Sequence, residues 1–319
     1  MPSRPASASS TTFARALMML AAAGCGAAMA LQARINGQLG RELGDGVLTA
    51  VLSFGSGWCI LSIALALQPG GRQGLRRVRQ ALRLGMPWWS VGGGVAGALL
   101  VLSQGLAAAG LGVALFTVAV VCGQTISGLW VDLRGIGAAV AQPVSATRLW
   151  GSGLALVAVS VAVSAQFNST VPVWLLLLPF LSGLAIAWQQ ALNAQVRFVA
   201  GSVLAATFIN FTVGLTVLLG VWLARLPVTG WPQSLPDPLW LYLGGPMGMV
   251  FIAVATLIVR QTGVLLYGLA AVAGQLLVSL ILDLLLPLAA RPVAMTTVVG
   301  TIGAFIAVGI AALPTRTAR

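Results

Sequence analysis

Ten apolar segments, each long enough to cross a lipid bilayer, limit what this chain can fold into. A transmembrane helix needs about 20 predominantly apolar residues. Short separators rich in arginine, glycine or proline divide one segment from the next. The segments lie near residues 16–36, 47–67, 87–109, 113–131, 148–165, 173–195, 203–224, 239–259, 264–286 and 293–313. We therefore predict an all-α polytopic membrane protein with ten transmembrane helices.

The balance of apolar and charged residues supports this class. Hydrophobic residues make up 59% of the 319-residue chain and charged residues only 7%, whereas a soluble domain carries about 25% charged residues. A net charge of +12 would suggest a nucleic-acid partner in a soluble protein. Here most arginines lie in short loops and near the chain ends, so we interpret the charge as a topology signal and expect no nucleic-acid partner.

The arginines predict an orientation in the membrane. All 17 basic residues are arginine, which is typical of a GC-rich bacterial genome. If the N-terminus is cytoplasmic, 13 of the 17 lie on the cytoplasmic side, and only Arg34, Arg41, Arg225 and Arg291 lie outside. This bias follows the positive-inside rule. The sequence therefore predicts a multi-pass protein of the bacterial inner (plasma) membrane with both termini in the cytoplasm.

Residues for catalysis are scarce. The chain contains no histidine, and its three cysteines lie inside apolar segments without the spacing of metal ligands. It has no Ser/His or Cys/His pair, and its glycine run at 92–94 lacks the lysine of a phosphate-binding loop. We therefore predict that the protein is not an enzyme, has no catalytic residues, and binds no metal or cofactor.

One polar stretch near the end of an apolar segment occurs twice, 157 positions apart. In each copy a glutamine and an asparagine lie four residues apart, which places two carboxamides on one face of a helix. Polar side chains of a membrane helix turn towards the bundle interior or a wet cavity. The copies comprise Gln32, Asn36 and Gln38, and Gln189, Asn193 and Gln195.

The repeat extends along the whole chain. Matched residues follow in order at spacings of 157, then 151, then 149, as expected for a duplication with small changes in loop length. The further matches are Gly44, Phe54, Gly57, Trp89, Gly93, Gly94, Gly97, Gly112, Gly123, Gln124, Asp132, Pro143 and Gly151 with Gly201, Phe211, Gly214, Trp240, Gly244, Gly245, Gly248, Gly263, Gly274, Gln275, Asp283, Pro292 and Gly300. The glycines of the third and eighth segments predict close helix packing.

Each copy holds five predicted spans, an odd number, so the second copy is inverted relative to the first. We predict a cytoplasmic tail at 1–13, a first five-helix repeat at 14–166, a second, inverted repeat at 172–313 and a cytoplasmic tail at 314–319. Inverted repeats that meet near the bilayer midplane are the architecture of secondary transporters.

The paired carboxamides are the candidate substrate-binding residues. Those of the two repeated stretches either bind substrate or hold helices together by hydrogen bonds. Gln124 and Gln275 lie in the middle of their segments, where an amide facing lipid is costly, so they must face the interior. Gln124 and Gln275 either line a cavity or form hydrogen bonds between helices, and the sequence does not distinguish these two roles.

Two aspartates, Asp132 and Asp283, are the candidate coupling residues. Charges inside membranes are often proton relays or cation sites, but an aspartate near a helix end also pairs with a loop arginine such as Arg134. We favour pairing. A proton-coupled mechanism would have to use these two residues, because the spans contain no Glu, Lys or His.

The repeated Gln-x-x-x-Asn-x-Gln stretches and the Gly-Gln…Asp pairs at 123–132 and 274–283 resemble the YdcZ-like family of bacterial inner-membrane proteins. That family belongs to the drug/metabolite transporter superfamily, with the EamA-like transporters. The resemblance implies ten helices in two inverted halves and a central cavity lined by the first, third and fourth helices of each half. It also implies export or exchange of small metabolites or drugs. Arg34 departs from the repeat, because Ala191 takes its place in the second copy.

We therefore predict a secondary transporter that moves a small metabolite or drug across the inner membrane by alternating access, in the direction of export. Its expected partners are the lipid bilayer and a small-molecule substrate, and a homodimer is left open. The alternative is a non-transporting integral membrane scaffold or accessory subunit.

Overall fold

The computed structural model describes residues 8–137, 145–164, 176–232, 234–285 and 295–313. Within these ranges all regular structure is helical. The α-helices are α1 Ala8–Leu43, α2 Gly46–Leu67, α3 Pro69–Arg83, α4 Gly93–Leu133, α5 Ala146–Val163, α6 Leu177–Ala200, α7 Val203–Thr229, α8 Gly244–Thr262, α9 Val264–Leu285 and α10 Met295–Ala312. Short 3-10 turns at Trp88–Val91 and Leu239–Tyr242 precede α4 and α8.

Most of the helices have the length and composition of membrane spans. Six described stretches are long and apolar enough to cross a bilayer. They are Ala16–Leu43, Gly46–Leu67, Val203–Thr229, Leu239–Thr262, Val264–Leu282 and Met295–Ala312. Shorter apolar helices cover Gly93–Ser103, Ala119–Leu133 and Ala146–Ala162. The molecule is therefore an all-helical, multi-pass membrane protein.

Helix α4 covers two predicted spans, and its two ends lie side by side. The Ser182 hydroxyl of α6 donates a hydrogen bond to the Leu99 carbonyl at 3.4 Å, and the adjacent Gly183 packs directly on the Val120 carbonyl. In a straight helix Leu99 and Val120 would lie about 30 Å apart. The chain therefore reverses between them, and α4 consists of a first leg, Gly93–Ser103, and a second leg, Ala119–Leu133, which both contact α6.

Helix α3 was not predicted, because its sequence has the glycines and arginines of a polar connection. It begins with Pro69, a favourable first helical residue, and runs for 15 residues. Its glycines pack against the start of α7: Gly71 contacts Leu204, and Gly74 contacts Ala205. Arg77 donates a hydrogen bond of 3.3 Å to the Ala200 carbonyl at the end of α6. Thus α3 lies across the ends of α6 and α7.

Contacts between helices recur at the spacings of the sequence repeat. Gly26 of α1 packs on Ala271 of α9, and its counterpart Gly183 of α6 packs on Val120 of the second leg. Likewise α1 contacts α8, and α6 contacts the first leg. The first helix of each sequence half therefore packs on helices of the other half.

The same pairing occurs where α2 and α7 cross. Gly57 of α2 faces the Phe211 ring, and Gly214 of α7 faces the Phe54 ring. The two rings lie 5.1 Å apart between their centroids. Glycine is required at both positions, because a Cβ would overlap the opposite ring.

Candidate functional site

The carboxamides of α6 form a buried cluster with a residue of α7, which we call the α6 cluster. Gln189 Nε2 and Asn193 Nδ2 donate hydrogen bonds of 3.0 and 2.9 Å to the same atom, Asn210 Oδ1. All three side chains are at most 5% exposed. Gln189 Oε1 and Asn210 Nδ2 have no hydrogen-bond partner in the part of the chain that the structure describes.

The first leg of α4 covers this cluster through its glycines. A Cβ at Gly93 would lie 2.6 Å from Asn193 Oδ1, and a Cβ at Gly97 would lie 2.9 Å from Gln189 Nε2. Both distances are shorter than the contacts that Cβ atoms make in proteins, so a side chain at either position would force the amide facing it to move. The close packing predicted from these glycines is confirmed here.

An equivalent arrangement, the α1 cluster, joins α1, α2 and α8. Asn36 lies against Gly244, where a Cβ would overlap the amide, and Gln32 Nε2 lies 2.8 Å from the Cβ position of Gly248. Ser53 of α2 occupies the position equivalent to Asn210, 157 residues earlier. A Cβ at Gly244 would lie 2.9 Å from Ser53 Oγ.

The two clusters differ in hydrogen bonding. Asn36 is 6% exposed, yet neither its amide atoms nor Ser53 Oγ have a hydrogen-bond partner among the described residues. Serine is too short to take the bridging role of Asn210. Since a buried, unsatisfied polar group costs about 1–3 kcal/mol, the α1 cluster has unused capacity for a polar ligand or water.

The other members of the repeated stretches lie away from these clusters. Gln38 donates a hydrogen bond of 2.9 Å to Glu42 Oε1 and accepts one from Arg41. Gln195 is half-buried on α6. Residues two positions apart on a helix do not share a face, so the structure separates both glutamines from the asparagines near them.

The mid-span glutamines Gln124 and Gln275 occupy different surroundings. Gln124 of the second leg is 8% exposed and faces Gly268 of α9, where a Cβ would lie 2.8 Å from Nε2. The adjoining cavity, lined by Thr125 and Leu269 among others, measures about 10 Å³, the size of one water molecule. Gln275 is half-buried, and its backbone nitrogen packs against Gly26. Neither residue belongs to the two clusters.

Asp132 joins three helices. It is 1% exposed, pairs with Arg148 at the start of α5, and accepts hydrogen bonds of 2.6 and 3.1 Å from the backbone nitrogens of Val264 and Leu265. Arg134, the loop arginine given as an example of a partner, lies over the Trp130 ring instead. The pairing interpretation of Asp132 is therefore supported with a different arginine. The Asp283 side chain lies outside the described part of the molecule.

Sequence reasoning missed three residues of this region. Asn210 and Ser53 were overlooked because their types differ, although each precedes a matched phenylalanine and lies at the repeat spacing. Gln190 was overlooked because its counterpart is Ala33. It is 2% exposed, and within the described ranges neither atom of its amide has a hydrogen-bond partner. A polar residue inside an apolar helix was the signal in each case.

Comparison with known proteins agrees with this architecture. The family model described as "Putative inner membrane exporter, YdcZ" matches residues 17–161 and 174–312. No curated protein matches the chain. A crystal structure of a protein with 18% sequence identity superposes with a TM-score of 0.66 and covers 98% of this chain and 100% of that one, a likeness of fold alone. The chain belongs to the YdcZ family of inner-membrane proteins within the drug/metabolite transporter superfamily.

Proposed function

We propose that this protein is a secondary transporter that exports a small polar or amphipathic molecule by alternating access. The observation that carries the proposal is the pair of equivalent amide clusters: Asn210 bridges two amides in one, and in the other the Asn36 amide has no partner among the described residues. Membership of an exporter family supports the direction of transport.

The clusters suit the role of two gates. In the proposed topology, five spans form each of the inverted halves 14–166 and 172–313, and both termini are cytoplasmic. Asn36 and Asn193 then lie near opposite membrane surfaces, since each precedes the end of its helix by seven residues. The hydrogen bonds to Asn210 hold the α6 cluster closed, and the α1 cluster has no equivalent lock.

The packing between halves provides the surfaces that would move. Helix α1 contacts α8 and α9, and α6 contacts both legs of α4, so each gate lies at an interface between the two sequence halves. Glycines at Gly94 and Gly245 bring backbones together there without interdigitated side chains. Such smooth interfaces are suited to rocking one half against the other.

In this proposal the carboxamides of both clusters, with Gln190, contact substrate as it passes. Gln124 and Gln275 support the helices around the path, and Asp132 holds the second leg to α9. We propose no proton-coupling role for Asp132, because its carboxylate already has an arginine and two backbone donors.

Cysteine accessibility would test alternating access. In a variant with Cys25, Cys59 and Cys122 replaced by alanine, we would place single cysteines at Gln32 and at Gln189 and label them from each membrane side. If the protein works by alternating access, the conformation in which one cysteine reacts with the label should be the conformation in which the other cysteine does not. Two positions that never react under any condition would favour a non-transporting scaffold.

The substrate would be sought by comparing medium and cytosol of cells that produce wild type or the Asn36→Leu/Asn193→Leu double variant. An exporter shifts at least one compound outward in the wild type alone. Equal amounts in both strains, with both proteins present in the membrane, would contradict export.

A further inference from the structure

Helix α3 carries a row of arginines. The row follows spacings of four, three and four residues, which places its members on one face of the helix. All four side chains are exposed, and none forms an ion pair within the described part of the chain. The opposite face packs on α6 and α7 through Gly71, Gly74 and Val78. The row consists of Arg72, Arg76, Arg79 and Arg83.

Within the described part of the chain, no acidic side chain forms an ion pair with this row. It has five acidic residues in total, and none lies between Asp45 and Asp132 in the sequence. Asp45 pairs with Arg225, and Asp132 pairs with Arg148. Glu42 accepts a hydrogen bond from Gln38 at the end of α1. The described acidic residues therefore leave the arginine row available for the negative charge of another molecule.

The location of α3 favours the membrane surface as the source of that charge. The helix follows α2, a candidate membrane span, and precedes the first leg of α4, a shorter apolar helix. Beyond it, Leu84 and Trp88 are 79% and 81% exposed. Exposed tryptophan and leucine beside a basic helix are typical of segments that lie in the headgroup layer.

An apolar groove reaches the start of α3. It lies between α2, α7 and α8, has a volume of about 450 Å³, and is lined by Leu61, Leu204, Met249, Val250 and Ala253 among others. Its polar lining residues are Gln68, which precedes α3, Ser202, which contacts Gly74 of α3, and Thr207. A hydrocarbon chain suits such a lining, and a headgroup at the Gln68 end would lie beside the first arginine turn.

We propose that the arginine row of α3 binds the phosphate groups of anionic phospholipids, and that an acyl chain of one such lipid occupies the groove. Guanidinium groups bind phosphate through paired N–H donors. A basic segment at a membrane surface gains about fivefold in affinity for each arginine. This inference does not depend on transport activity.

Native mass spectrometry of the detergent-purified protein tests the proposal, with phosphatidylglycerol and phosphatidylcholine of identical acyl chains as probes. The wild type should retain phosphatidylglycerol preferentially. In R72Q/R76Q/R79Q/R83Q that preference should fall by at least about tenfold. The matched control R4Q/R15Q/R316Q/R319Q removes the same charge near the chain ends and should keep the preference. Equal retention of both lipids by the wild type would overturn the proposal, as would an equal loss in the control.

Two further measurements separate the parts of the site. The Arg→Lys quadruple variant keeps the charge and should keep most of the preference, even if the glutamine variant folds poorly.

Ala253→Trp fills the groove and should lower retention of phosphatidylglycerol, whereas glycerol phosphate without acyl chains should not compete. Unchanged lipid retention in Ala253→Trp would overturn the acyl-chain site. Binding of a single-stranded oligonucleotide without any lipid preference would assign the row to nucleic acid instead.

Discussion

The α1 and α6 clusters occupy equivalent places in the repeat but differ in one residue. Asn210 accepts hydrogen bonds from Gln189 and Asn193, whereas Ser53 leaves Asn36 without a partner. The helix crossings around them are alike, with glycine against amide in both. The helix crossings are therefore equivalent, and the difference between Asn210 and Ser53 accompanies the presence or absence of bridging hydrogen bonds.

The largest effect should come from the feature that the two clusters share. Gly94→Val and Gly245→Val each place a side chain against the backbone of α7 or α2. Both should lower the free energy of unfolding by about 3 kcal/mol or more, because a well-packed crossing cannot absorb added atoms. Fluorescence-detected size exclusion after heating measures the loss. The control Gly55→Val has no atom within 4 Å of its Cβ and should be tolerated; similar damage there would contradict the steric explanation.

A smaller effect should distinguish the clusters directly. Asn210→Leu leaves two buried amides without their acceptor and should destabilise the protein by about 2 kcal/mol. Ser53→Ala removes a hydroxyl that has no partner and should change stability little. Thermal unfolding in detergent compares the two variants. Equal destabilisation would mean that Ser53 has a bonding role that the described structure lacks.

Ser53→Asn would give the α1 cluster the bridging asparagine that the α6 cluster has, and with it the missing hydrogen-bond acceptor. We expect a gain in stability of about 1 kcal/mol through new hydrogen bonds to Asn36 and Gln32. If the clusters are gates, the same variant should export more slowly. The two readouts are the unfolding temperature and the efflux of the compound found by comparing medium and cytosol. Faster efflux together with higher stability would contradict the gating role.

The smallest effect is expected outside the clusters. Gln38→Ala and Gln195→Ala should each change stability by no more than about 0.5 kcal/mol and leave transport unchanged. Thermal unfolding and the efflux assay measure both, with Asn193→Leu as the sensitive reference. A transport defect in either glutamine variant would extend the functional site along the helix.

The repeated polar stretch was visible in the sequence, but only part of it forms the clusters. Spacing predicts that residues four apart share a helix face, which holds for Gln32 with Asn36 and for Gln189 with Asn193. Gln38 shares the repeat yet bonds to Glu42. Repetition marks a segment, and helical geometry then decides which of its residues meet a neighbour.

Two other features show where local patterns are insufficient. Helix α3 looks like a polar connection until the ends of α6 and α7 offer a surface for its glycines. Arg134 lies only two positions from Asp132 in the sequence. Asp132 nevertheless pairs with Arg148, because the fold places the start of α5 beside it. In both cases the deciding partner belongs to another helix.

The sequence by itself determined the helical membrane class, the family and the positions of the duplicated residues. These properties depend on hydropathy and on matches along the chain, which need no knowledge of neighbours in space. The tertiary structure decided that α1 and α6 pack across the sequence halves, that Asn210 bridges two amides, and that α3 presents its arginines outward. Some contacts of this kind join segments more than 200 residues apart in the chain. They are determined by close packing at glycine crossings and not by local periodicity.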